Sequence, residues 1–135
     1  MLDFIITNWV GIVLASFLAV IVAVVWHSPL VLGKVWQKEA GIKSKDIKSI
    51  SVTNYLIALL MILLTAVVLK RFLVITNPET LFEAIKLSIW IWVGFMVTYV
   101  VVGGIFEKVS KKLMVIDLVG QVLILITMIS VLYYN

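Results

Sequence analysis

Phe4-Ile5-Ile6-Thr7-Asn8-Trp9-Val10-Gly11-Ile12-Val13-Leu14-Ala15-Ser16-Phe17-Leu18-Ala19-Val20-Ile21-Val22-Ala23-Val24-Val25-Trp26 carries no charged side chain from end to end. It does not alternate between apolar and polar, so it reads as a helix and not as a strand. At 1.5 Å rise per residue such a helix reaches about 35 Å, enough to cross a hydrocarbon layer of about 30 Å with some tilt. The residues ahead of it include Asp3 and no basic group, and the run is longer than a leader's apolar segment, so a retained helix is expected.

Three further apolar runs follow: 51–69, closed by Lys70 and Arg71; 81–106, with Glu83 and Lys86 in its first turns; and 113–134, with Asp117 near its start. Of the 135 residues, 64% are hydrophobic and only 13% are charged. A water-soluble domain carries roughly 25% charged residues. The surplus of apolar side chains exceeds what so small an interior hides. Lipid is therefore the expected solvent, and the expected fold is all-α: one polytopic domain over 1–135 with four transmembrane helices. The net charge of +4 does not point to nucleic acid, because the lysines flank apolar spans and no nucleic-acid-binding motif accompanies them. With no Cys, disulfides, thiolate metal sites and cysteine nucleophiles are excluded.

Lys34, Lys38, Lys43, Lys45 and Lys48 follow the first span, and Lys108, Lys111 and Lys112 follow the third. Only Lys70 and Arg71, with Lys86 if it snorkels, mark the other side. Basic residues are retained in the cytoplasm, so loops 27–49 and 107–112 are expected there, in contact with anionic lipid headgroups, with both termini outside. Within the first loop Val31, Leu32, Val35 and Trp36 lie among lysines, the pattern of a short amphipathic helix lying in the membrane interface. Ser44 is placed to cap a turn there. Asn77-Pro78 reads as a turn and helix start, with Glu79 in a first turn that favours negative charge. Gly33-Lys34-Val35-Trp36-Gln37-Lys38 and Gly103-Gly104-Ile105-Phe106-Glu107-Lys108 match loosely. Each follows an odd-numbered span, which would suit two parallel helix-pair repeats.

Gly11, Ala15, Ala19 and Ala23 recur every four residues, a smooth ridge that lets helices approach closely. Gly94 offers a similar contact or a bend, and Asn54 and Thr98 are candidates for hydrogen bonds between helices. Asp117 lies about one turn inside the fourth span with Gln121 on the same face. An ionisable group there is costly, so it faces the bundle interior or water, unless it pairs with Lys108, Lys111 or Lys112. His27, Glu107, Asp117 and Gln121 form the candidate polar cluster at one end of the bundle. No cofactor motif, metal-ligand set or catalytic constellation is visible, so an enzyme is not expected.

Val25-Trp26-His27-Ser28-Pro29-Leu30-Val31-Leu32-Gly33-Lys34-Val35-Trp36 resembles a family of small bacterial and archaeal membrane proteins catalogued as domain of unknown function 1761. Its members look like Trp-Tyr-Ser-Pro followed by Phe-Gly-x-x-Trp after a first apolar helix. Here Trp26, Ser28, Pro29, Gly33 and Trp36 fit, while His27 stands where Tyr is common and Leu32 where Phe is common. Trp92-Val93-Gly94-Phe95, Phe106-Glu107 and Ile116-Asp117 with Gly120 fit a second, looser stretch. The resemblance implies four helices and supplies no activity. Two functions follow from the residues themselves. One is a non-enzymatic packing protein, as a homo-oligomer or an accessory subunit of a membrane complex. The other is a small transporter or channel with a polar cytoplasmic vestibule.

Overall fold

The computed structural model describes residues 2–135 and contains only helices and their connections. The first span is α1 (Leu2–Trp26). Two short helices follow, α2 (Gly33–Ala40) and α3 (Ser44–Lys48). The second span is α4 (Val52–Thr76). The third joins α5 (Leu81–Ile91), a π-helical turn (Trp92–Val97) and α6 (Thr98–Phe106). The fourth is α7 (Lys111–Tyr134). All four are long and apolar enough to cross a membrane, so the chain is a multi-pass membrane protein.

Lys70 and Arg71 do not end the second span, which runs on to Thr76. The reason is that both charges are accommodated within it. Lys70 is buried and its Nζ donates to the Leu132 carbonyl at 3.0 Å, close to the C-terminal end of α7, where partial negative charge collects. The Arg71 guanidinium lies 5.3 Å from the centre of the Phe4 ring, a cation–π distance. Asn77, with φ of 44°, terminates α4 in a left-handed conformation. The next helix starts later than Asn77-Pro78 suggests. Thr80 is its cap, accepting from the Glu83 amide at 3.2 Å, while Glu83 accepts from the Glu79 amide at 2.9 Å. Glu83, not Glu79, therefore occupies the first turn.

Other local expectations are also corrected. Ser44 opens α3 but its hydroxyl donates to Gln37; Asp46 closes that turn by accepting from the Lys43 amide. Thr98 bonds the Gly94 and Phe95 carbonyls of its own helix. The Asn54 amide bonds the Ser51 hydroxyl that caps α4. Neither Thr98 nor Asn54 bridges two helices. The matched stretches at Gly33 and Gly103 also differ in local structure: the first begins a short helix and the second lies in the last turn of a long one.

α7 is the hub, touching each of the other three spans, and α1 packs on α4 as well. The core gathers Ile12, Ala15 and Ala19 of α1, Ala66, Leu69 and Leu73 of α4, Ala84 of α5, and Leu125, Met128, Ile129 and Leu132 of α7. Ala15, Ala19, Ala66 and Ala84 are fully buried, as close packing of backbones in lipid requires. Gly11 is buried against Asn135, and Ala23 is half-buried. Most of these core residues of α4, α5 and α7 belong to the half of the bundle near the chain termini. In the half near the basic loops the helices separate. Every residue of α4 from Val52 to Met61 is exposed, on all faces of the helix. α6 likewise stands off α7, leaving a groove between them.

Candidate functional site

The site is built where the loop end of α7 meets the segment that follows α1. At the end of α1, His27 and Ser28 leave the helix, with the Ser28 hydroxyl donating to the Val25 carbonyl at 2.7 Å. The chain turns through Pro29, and the Gly33 amide returns to the Ser28 carbonyl at 2.9 Å. A Cβ at Gly33 would collide with the His27 carbonyl, so only glycine lets the turn close this tightly. That closure aims α2, and with it Trp36, back at α7.

Three tryptophans from three elements then grip three successive residues of α7. The Trp26 indole donates to the Ile116 carbonyl at 3.1 Å. The Trp36 indole donates to Asp117 Oδ1 at 2.9 Å. The Trp92 indole donates to the Leu118 carbonyl at 3.1 Å. An indole N–H needs an acceptor once it is withdrawn from water, and helical carbonyls retain a second lone pair to supply one. Gly120 makes room for the first of these: a Cβ there would lie 2.7 Å from the Trp26 ring. Trp92 donates from the start of the π turn, a feature often found at functional sites.

Asp117 is thus satisfied by an indole and not by a lysine. The ion pair among the described residues is instead Glu39 with Lys112, at 3.6 Å. Ser110 donates to the same carboxylate at 2.7 Å. The Ser110 hydroxyl, with Lys112 and Lys38 adding to it, holds the Glu39 carboxyl below its ordinary pKa against a smaller opposing effect of desolvation. Together these contacts tie α2 to the start of α7. Trp36, one of the apolar residues of the expected amphipathic helix, bonds within the protein, to α7.

The members of the candidate polar cluster take different places. His27 Nδ1 lies 2.9 Å from the Ala23 carbonyl, and its ring meets the Trp36 ring edge-on with centroids 5.2 Å apart. Asp117 and Glu107 line one groove of about 700 Å³ between α6 and α7. Its walls are Gly94, Phe95, Thr98, Tyr99, Gly103 and Met114, among others. Gly94 meets no atom within 4 Å of where a Cβ would stand; it opens the groove instead of seating a helix. Gln121 Oε1 is buried with no hydrogen-bond partner among the described residues. Trp92 and Gly120 as parts of the grip are not signalled by spacing, because four residue stretches far apart in the chain create it.

No curated protein and no solved structure matches the chain. The family described as "Protein of unknown function (DUF1761)" matches residues 10–133, a range that includes Trp26, Gly33, Trp36, Trp92, Asp117 and Gly120. The chain, a multi-pass helical membrane protein whose motif residues converge on the loop end of α7, belongs to the DUF1761 family.

Proposed function

We propose that this protein is non-enzymatic and works by assembly within the membrane, as a homo-oligomer or as an accessory subunit of a larger membrane complex. The supporting observation is the loop half of α4, where Tyr55, Leu56, Ile57, Leu59 and Leu60 are all exposed. An isolated lipid-facing helix still packs one face on its neighbours. Here the inward face is open too, and association in lipid is driven by the packing that this face lacks. A second transmembrane chain would supply it. In this reading loops 27–49 and 107–112 are cytoplasmic and touch anionic headgroups, with the termini outside, because the lysines concentrate on those loops.

The absence of Cys makes the test direct. Leu56→Cys and Leu60→Cys in native membranes should form cross-linked dimers or a defined larger adduct, whereas Thr76→Cys, beyond the packed half, should not. A monomer by both cross-linking and native mass spectrometry would overturn the assembly role. Labelling of loop cysteines from outside intact cells would overturn the orientation.

A second reading, a small transporter or channel, rests on Glu107 and Asp117 lining one groove. It requires solute flux in liposomes that Asp117→Asn reduces. Unchanged flux in that variant would remove the role of Asp117.

A further inference from the structure

We propose that the groove between α6 and α7 is a lateral binding site for an aminophospholipid, with the lipid's primary ammonium on Glu107 and Asp117. This inference does not depend on the assembly role, which concerns a different face. The groove's volume of about 700 Å³ falls in the range of small-molecule sites. Its outer wall faces the bilayer: Phe95 is 71% exposed, Tyr99 79% and Val102 54%. An occupant therefore enters sideways from the membrane.

The chemistry is graded along the groove. Gly94, Phe95, Val102 and Gly103 offer an apolar track for an acyl chain, and a Cβ at Gly103 would meet nothing within 4 Å. At the loop end two carboxylates line the wall and no basic side chain does. Asp117 Oδ1 is occupied by Trp36, which leaves its second oxygen open. Glu107 is exposed. An ammonium bearing three N–H groups matches these acceptors through charge-assisted hydrogen bonds. The exposed Lys108, Lys111 and Lys112 flank that end in the chain, where a phosphate one ethanolamine length away would meet positive charge. A headgroup whose ammonium and phosphate face opposite charges matches this order, while a lone amine uses only half of it. Choline lacks N–H donors, so the site should discriminate against it.

The test is native mass spectrometry of the full chain in detergent, titrated in parallel with dioleoyl phosphatidylethanolamine, dioleoyl phosphatidylcholine and dodecylamine. Wild type should retain the ethanolamine lipid about tenfold better than the choline lipid, the equivalent of one strong polar contact. Glu107→Gln should bring the two lipids to near parity while leaving helix content unchanged, since this exposed side chain holds no other element. Gly103→Leu should lower retention of both lipids by filling the track without touching a carboxylate. Equal retention of the two lipids by wild type would overturn the site. So would a preference that survives both variants. Retention of dodecylamine without any preference between the phospholipids would overturn the lipid as its occupant.

Discussion

Trp36 and Asp117 form the bond on which the loop end of the molecule turns. It joins a short surface helix to the second turn of α7, across 81 residues of sequence, at 2.9 Å. A hydrogen bond to a charged acceptor contributes about 1.5–3 kcal/mol. Trp36→Phe keeps the ring and its edge contact with His27 but removes the donor. It should raise amide exchange in α2 by about tenfold or more, on that scale, with α5 unaffected; unchanged exchange would show that the ring alone holds α2. Gly120 answers to a different force. Gly120→Val puts carbon into the Trp26 ring, and such overpacking costs about 1–3 kcal/mol. The variant should unfold at lower SDS fraction in mixed micelles than Gly94→Val, where the added side chain meets open space. Equal losses would mean that the Trp26 contact does not constrain the bundle.

At the scale of elements, α2 has a second attachment whose pH dependence has a definite sign. The Ser110 hydroxyl and Lys112 lower the Glu39 pKa, so the folded contact favours the ionised form. That stabilisation is present above the ordinary carboxylate range and is lost as pH falls through the lowered value. The protection of α2 amides, taken relative to their intrinsic exchange rate at each pH, should therefore fall on acidification from neutral pH to below about pH 4, the region of an ordinary Glu. Glu39→Gln should remove that acid-dependent loss of protection; a variant that keeps it would place the titrating group elsewhere. α4 shows a parallel case of charge enclosed by structure. Lys70→Ala deletes the donor to Leu132 and should lower stability by about 1–3 kcal/mol, measured as the SDS midpoint. Lys70→Met preserves the apolar stem and should lose less. An unshifted midpoint in both would mean that the Leu132 carbonyl needs no partner.

Over the whole molecule, helices converge at one end and separate at the other. The buried share of the third span's most apolar stretch is 6%, against 33% for the fourth. The first has its small-residue ridge inside the core, with Ala15 and Ala19 fully buried. Ala19→Leu should separate α1 from α4 and α7 and unfold the chain at lower SDS, an overpacking cost of about 1–3 kcal/mol. Leu60→Ala, on the exposed half of α4, should leave the monomer's SDS midpoint in place and weaken cross-linking between chains. A reversal of these two effects would overturn the division into a packed half and an open half.

Composition and run length alone determined the solvent and the number of spans. Backbone groups have no partners in hydrocarbon, so long apolar runs without alternation leave only helices. The ridge of Gly11, Ala15 and Ala19 was legible for the same reason, as close approach leaves a four-residue spacing. Asp117 was legible as a residue that needs a partner, but not which one. Lysines adjacent in sequence were the near candidates, and the indole of Trp36 came from across a turn that Gly33 closes. The extension of α4 past Lys70, the grip of Trp26, Trp36 and Trp92 on α7, and the open groove were decided only by tertiary structure. Each depends on which distant backbone or side chain lies within a few ångströms, a relation that no local spacing encodes.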